Sequence, residues 1–448
     1  MTNGTFTRRD FLVTTAVASA ALAAPFVRTA HAAGKLSVGF WDHWVPGAND
    51  TLTKICQEWA AKEKVELQID YITSQGNKNL LTIAAEEQAK SGHDILQMPT
   101  WQPADKAKSL EPMDDVVRDL IEKNGEVAEV VSYLGKQDGH WVAVPATTGS
   151  QMKPPCARVD LLKQHVGWDP REAYPAGASP NKELADKWTY DAFLMAAEKC
   201  HKAGVPFGLP LGQTTDAVDW VGAMFASFGA ELVDRKGDVT VKSDATKQVL
   251  DYAKRLVQFL PPDVFAWDDA SNNKWLVSGR GALITNPPSA WAVAKRDAPQ
   301  IAEQCWTFPM PTGPKGRYQP FLPYFLGTWN FSKNKSAAKS LLSHISTRES
   351  AERLVAASQG YDLPSFAKLR DFKTWAEEGP PKGTIWHYPP REGQIPSIAS
   401  SPAPPKIANQ IYVQATMTKM IARVTQNNEA IDKTIAWAES EIEGFMRT

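Results

Sequence analysis

Between Leu36 and Met98 the chain spells strand, helix, strand, helix, strand, and no other feature narrows the fold as much. Leu36-Ser37-Val38-Gly39-Phe40 alternates in the two-residue period of a strand. Asn49-Asp50 offers an N-cap, and Leu52, Ile55, Cys56, Trp59 and Ala60 then fall at i, i+3, i+4, i+7 and i+8, the spacing of one apolar helix face. Val65, Leu67, Ile69 and Tyr71 alternate as a second strand. Leu80 to Ala89 reads as a helix closed by Gly92, and Asp94-Ile95-Leu96-Gln97-Met98 as a short third strand. Strands joined through helices run parallel, with the helices on the sheet faces. An α/β fold is therefore expected.

The remaining chain continues in kind. Asp138-Gly139 marks a hairpin-like turn, and His140 to Val144 leads into Pro145. Residues 169–187, with Asp-Pro, Tyr-Pro and Ser-Pro steps, read as an irregular surface loop. Thr189 then caps a helix carrying Phe193, Ala196, Ala197 and Cys200. A second α/β pattern runs through Leu250–Leu260 and Gly281–Thr285. Tyr388 to Pro405 is dense in Pro, Ser and Gly and reads as a long loop. Two helical stripes follow: Ile407, Ile411, Ala415, Thr418 and Ile421, then Ile431, Ile435, Ala438, Ile442 and Phe445. No internal repeat is evident.

Residues 1–32 read as an address. Arg8-Arg9 precedes an apolar run from Phe11 to Ala24, and Ala30-His31-Ala32 has the small residues of a cleavage site. The run is short of the roughly 20 residues that cross a bilayer. The paired arginines point to twin-arginine export and a periplasmic protein. Removing three Arg and one Asp turns 49 basic and 50 acidic residues into 46 and 49, a balance of −3. Such a chain lacks the basic excess a nucleic-acid partner requires. About 416 residues are too many for one compact core, so two domains are expected. The four cysteines (Cys56, Cys156, Cys200, Cys305) are widely spaced, which excludes simple zinc, thioredoxin-like and haem-attachment motifs. Export permits disulfides, and three pairings are open. Sixteen Trp stand out, several beside turns, where a flat apolar ring suits a ligand face.

A series of short motifs, in order across nearly the whole mature chain, resembles the family 1 extracellular solute-binding proteins of ABC transporters, which include many sugar binders. The first strand ends in Phe40-Trp41-Asp42-His43-Trp44, and Trp101 follows the Asp94–Met98 strand. Leu110-Glu111-Pro112-Met113-Asp114 is similar to the family's L-x-P-L-D step, and Asp138 to Pro145 to its D-G-x-x-Y-G-V-P strand. Trp188 to Phe193, Ser278 to Leu283 and Pro309 to Pro314 match three further segments. Two departures bear on the ligand: Lys153-Pro154-Pro155-Cys156 replaces Asn-Tyr-Asn-Lys, and Asn286-Pro287-Pro288-Ser289 has no aromatic before Trp291.

The resemblance implies a two-lobed periplasmic binding protein fold of type II, with discontinuous lobes joined by a hinge. Lobe one is expected to hold residues 35–146 and 320–365, and lobe two residues 147–319 and 366–448. It further implies a monomer that closes on a small molecule and docks on an ABC permease, with no cofactor or metal. A sugar or polyol needs stacking rings and hydrogen-bonding rims. On that basis the candidate contacts from lobe one are Asp42, His43, Trp44, Gln75, Trp101, Tyr324 and Trp329, joined by Tyr361 and Asp362 near a crossover. Lobe two supplies Gln213, Trp220, Asn286 and Trp291. Trp41 is expected to point inward as core, and Trp59, Trp141 and Trp437 to serve packing. Two alternatives stay open. One is a binder of a non-sugar solute: a polyamine, for which Asp42, Asp216 and Asp362 offer carboxylates, a phosphate ester, which would need Arg or Lys in the cleft, or an organic acid. The other is an exported hydrolase, although G-x-S-x-G, H-E-x-x-H and phosphate-loop motifs are missing.

Overall fold

The computed structural model describes residues 34–45, 47–377 and 394–447. The export segment and the first part of the Tyr388–Pro405 loop lie outside the described residues. The strands are β1 (Lys35–Trp41), β2 (Glu66–Ile72), β3 (Ile95–Pro99), β4 (Val144–Pro145), β5 (Gln151–Met152), β6 (Pro155–Arg158), β7 (Leu283–Thr285), β8 (Cys305–Thr307), β9 (Tyr318–Leu322), β10 (Tyr324–Thr328) and β11 (Ile395–Ser397).

Lobe one is built on a sheet of order β2-β1-β3-β10-β4. β1 runs parallel to β2 and β3, with Val38 opposite both Ile69 and Ile95. β10 enters antiparallel between β3 and β4. Leu36, Val38 and Phe40 are buried on one face of β1, and the other face is also covered, since Ser37, Gly39 and Trp41 are buried too. Gly39 is needed there: a Cβ would lie 2.4 Å from the Leu96 side chain. The helix Ala48–Glu63 covers one face with Leu52, Ile55, Cys56 and Trp59. Each Leu or Ile buried this way stabilises the lobe by about 1.5–3 kcal/mol.

Lobe two centres on a smaller sheet, β8-β6-β7, paired antiparallel throughout. Around it pack the helices Tyr190–Lys202, Thr215–Phe228 and Asp244–Val257, each begun by a Thr or Ser (Thr189, Thr214, Ser243) whose side chain accepts from the third residue's backbone N–H. A third sheet has the order β11-β9-β5, with β9 parallel to β11 and antiparallel to β5. β5 follows β4 directly in sequence and β9 precedes β10, so two crossings lie side by side.

Several expectations change. The helix after β1 starts at Ala48, one residue earlier than Asn49, with Gly47 as its cap at φ 86° and Asp50 in the first turn. The 169–187 loop contains two short helices, Pro170–Ala173 and Lys182–Asp186, started by the side chains of Asp169 and Asn181. The Pro-rich loop contributes β11, parallel to β9. The first C-terminal stripe is two helices, Pro405–Val413 and Thr416–Thr425, broken where Ala415 turns left-handed at φ 52°. Asp138-Gly139 does close a hairpin, with both residues at positive φ (51° and 85°). After Asp362, Phe366 bridges to Val127, and the Trp375 indole donates to Gly360 O at 3.0 Å. All four cysteines are buried free thiols.

Candidate functional site

At the C-terminal end of β1 the chain delivers a cluster of rings. Gln97 of β3 anchors it, accepting from the Trp41 backbone N–H at 3.0 Å and donating to Thr148 O at 2.6 Å. The Trp41 ring lies 5.4 Å from Tyr324, 6.1 Å from Tyr361 in a stacked arrangement and 4.9 Å from His43. His43 meets Tyr361 edge-on at 4.8 Å. The Val45 backbone N–H donates to His43 Nδ1 at 2.9 Å. That nitrogen therefore carries no proton, and Nε2–H donates to Asp362 Oδ1 at 3.1 Å. Gly149 N–H donates to the same oxygen at 2.7 Å. Asp362 Oδ2 and Trp41 Nε1 are buried with no hydrogen-bond partner among the described residues.

A polar wall comes from lobe two. Lys153 directly follows β5 and is 1% exposed, yet its ammonium contacts Asp216 Oδ1 at 2.8 Å and Asp219 Oδ2 at 2.7 Å. Both carboxylates sit near the N-terminus of the Thr215–Phe228 helix, where the backbone favours negative charge. Asn272 and Asn286 donate to Asp216 Oδ2 at 2.9 and 3.0 Å, and Tyr412 OH donates to Asp219 Oδ1 at 2.9 Å. Asp269 Oδ1 accepts from Asp216 N–H at 3.2 Å and Thr215 Oγ1 at 3.3 Å. Burial alone would push the Lys153 ammonium pKa down, but Asp216 and Asp219 outweigh it and raise the pKa. Burial raises the Asp219 carboxyl despite Lys153. Burial, and then the charge of Asp216, push Asp269 up to about 7.

Tyr324 joins the walls. Its ring belongs to the aromatic cluster, and its hydroxyl, raised in pKa by burial, feels the charges of Lys153, Asp269, Asp219 and Asp216. The arrangement offers an apolar face beside a dense set of acceptors. Among the described residues, no group of three or more His, Cys, Asp or Glu side chains is placed to hold a metal.

Of the expected contacts, His43, Tyr324, Tyr361, Asp362 and Asn286 come together here. Others do not. Trp101 is fully buried, edge-on to Tyr133, and donates to Ala399 O at 3.0 Å, fastening lobe one to the chain after β11. Trp329 stacks on Phe331 and donates to Glu86 Oε2, because the residue after β10 turns toward the Lys78–Ala89 helix. Trp220 is buried one turn beyond Asp216, its indole on Pro210 O. Trp291 is buried under Lys295. Asp42 is exposed, accepting from Asn49; Gln75 and Gln213 are exposed, and Trp44 is half-buried. A groove between Tyr133 of lobe one and Phe225 and Arg235 of lobe two lies along the far half of the Thr215–Phe228 helix from the charge cluster.

Trp41, Gln97, Lys153, Asp219, Asp269, Asn272 and Tyr412 were not among the expected contacts. Lys153 carried a signal, as the charged residue in the Lys-Pro-Pro departure. Asp216 and Asp219 are spaced i, i+3 on one helix, so both can face a single cation.

Residues 54–380 match the model of the bacterial extracellular solute-binding protein family. The chain belongs to that family, whose members bind solutes and are not enzymes. No curated protein matches it in sequence. Among solved structures it is similar to maltose-bound MalE3 of T. maritima, with TM-score 0.74, 18% identity, and 91% of this chain and 99% of that one covered. It is also similar to an ABC transporter solute-binding protein from Thermotoga lettingae bound with alpha-D-tagatose (TM-score 0.75, 14% identity, 92% and 100% covered). A third is the GacH receptor of Streptomyces glaucescens, solved unliganded and with acarbose (TM-score 0.70, 18% identity, 93% and 99% covered). These likenesses establish the two-lobed fold. No described helix is long and apolar enough to cross a membrane.

Proposed function

We propose that this protein is the extracytoplasmic binding component of an ABC importer, capturing a carbohydrate or polyol between its lobes and passing it to a membrane permease. The observation that carries this reading is the meeting, at Tyr324, of a lobe-one ring wall and a lobe-two wall of buried acceptors. Rings stack on the C–H face of a sugar, and carboxylates and amides take its hydroxyls. The fold's similarity to proteins solved with maltose, tagatose and acarbose supports the same class.

In this reading His43, Tyr324, Tyr361, Asp362 and Asn286 line the site, with Trp41 and Asp216 added. Asp42, Trp44, Gln75 and Gln213 form its outer rim. Lobe one comprises residues 35–146 and about 320–375, and lobe two the remainder of the mature chain. The crossings in the β11-β9-β5 sheet act as the hinge, and ligand favours closure because it touches both lobes. Residues 1–32 direct export to the periplasm, where the protein works as a monomer.

The test is a thermal-shift screen of the mature protein against sugars, polyols, polyamines and phosphate esters, followed by calorimetry of each hit. A ligand at 100 times its Kd should stabilise the fold by about 2.7 kcal/mol. Tryptophan fluorescence should change on binding, since Trp41 lies in the ring wall. Stabilisation by polyamines or phosphate esters alone would refute the carbohydrate reading.

A further inference from the structure

The charges at the site do not balance. Three carboxylates, Asp216, Asp219 and Asp269, converge on a region in which the ammonium acting on them is that of Lys153. Such an excess of buried negative charge is costly unless a further cation completes it. Burial, and then the neighbouring Asp216, raise the Asp269 carboxyl to about 7.

An independent observation points the same way. Asn286 is 4% exposed and gives its amide N–H to Asp216, which leaves Oδ1 on the other side of the amide with no partner among the described residues. On the opposite wall Asp362 is 1% exposed and its Oδ2 is equally unpartnered. Both are acceptors with nothing to accept from, so the missing partner brings donors. Trp41 Nε1, a buried donor without a partner, asks for one acceptor. The ring wall asks for a flat apolar face.

We infer that the ligand is a sugar or polyol bearing a protonated amine, its ammonium seated among Asp216, Asp269 and Asn286 and its ring against Trp41 and Tyr324. This rests on the carbohydrate reading above and narrows it. A polyamine shares the ammonium but lacks the stacking face.

Calorimetry of the mature protein at pH 7 separates these. The titrants are glucosamine, glucose and N-acetylglucosamine, the corresponding disaccharides of each, and spermidine. The free amine should bind at least about tenfold more tightly than its N-acetylated or hydroxyl counterpart. That preference should shrink as pH is raised past the amine's own pKa. Asp269→Asn should cut the preference several-fold, with circular dichroism confirming that the variant folds. Equal binding of amine and neutral sugar overturns the inference and leaves the carbohydrate reading intact. Binding of spermidine but of no sugar overturns the carbohydrate reading while the demand for a cation stands. No binding by any member of the panel overturns the inference.

Discussion

The ring wall of lobe one and the charge wall of lobe two solve the same problem by different physics. Trp41, His43, Tyr324 and Tyr361 hold one another by contact area, which is non-directional and tolerates small shifts. Lys153, Asp216 and Asp219 hold one another by charge in a buried setting, where geometry must be kept or the cost is large. The ring wall should therefore yield gradually to mutation and the charge wall abruptly.

The largest expected effect tests that contrast. Lys153→Met leaves two carboxylates buried without a cation and should cost about 3–5 kcal/mol, read as a fall in the urea midpoint. A loss below about 1 kcal/mol would mean that the cluster is solvated and the contrast false. Next, Trp41→Leu keeps an apolar side chain but removes the ring; it should cost about 3 kcal/mol and weaken ligand binding about tenfold by calorimetry.

Asp269→Asn acts through pH. The native carboxyl titrates at about 7, well above its ordinary value of 3.8, so between those values the folded state keeps a proton that the unfolded state has lost. Wild-type stability from this group therefore falls as pH rises from 4 to 7. The variant should be about 1–2 kcal/mol more stable than wild type at pH 8.5 and equal to it near pH 4. That figure is below what the full shift implies, because the side chain is partly exposed.

The smallest effect lies away from both walls, at His93, which sits between Glu86 and Asp70. Burial alone would lower its pKa, but Glu86 and then Asp70 raise it. Its stabilisation is complete below about pH 6.5, the ordinary histidine value, and fades as pH rises through the raised value. His93→Gln should cost about 1 kcal/mol at pH 5.5 and less at pH 8.5, measured by thermal unfolding.

The ring wall was the more legible of the two in sequence, for a physical reason. A residue just past a strand end leaves the sheet's hydrogen-bond ladder, so His43 after β1 is free to meet side chains from distant parts of the chain, here Tyr361 and Asp362. Gly-Tyr-Asp at 360–362 marks a turn in the same way. Trp41 is buried as expected, but alternation gives the face on which a side chain lies and not which rings cover that face. Trp101 and Trp329 failed for a different reason: each follows a strand, but each indole is claimed by a carbonyl or carboxylate distant in sequence. The charge wall was nearly invisible. Lys153 and Asp219 lie 66 positions apart, and Tyr412 a further 193, so no local pattern foretells that they meet. The α/β class and parallel β1–β2 and β1–β3 pairings were readable because each is set by local period. The antiparallel sheet of lobe two was not, since its strands are three or four residues long and separated by more than a hundred residues in places.

One feature of the first sheet bears on how the protein is made. β10 lies between β3 and β4, yet it is synthesised long after either. At roughly 5–20 residues per second, the ribosome takes on the order of 10–40 s to travel from β3 to β10. During that interval β3 presents an unpaired edge, which invites pairing with other chains. The nascent protein thus carries an open sheet edge until Thr328, the last residue of β10, has been made.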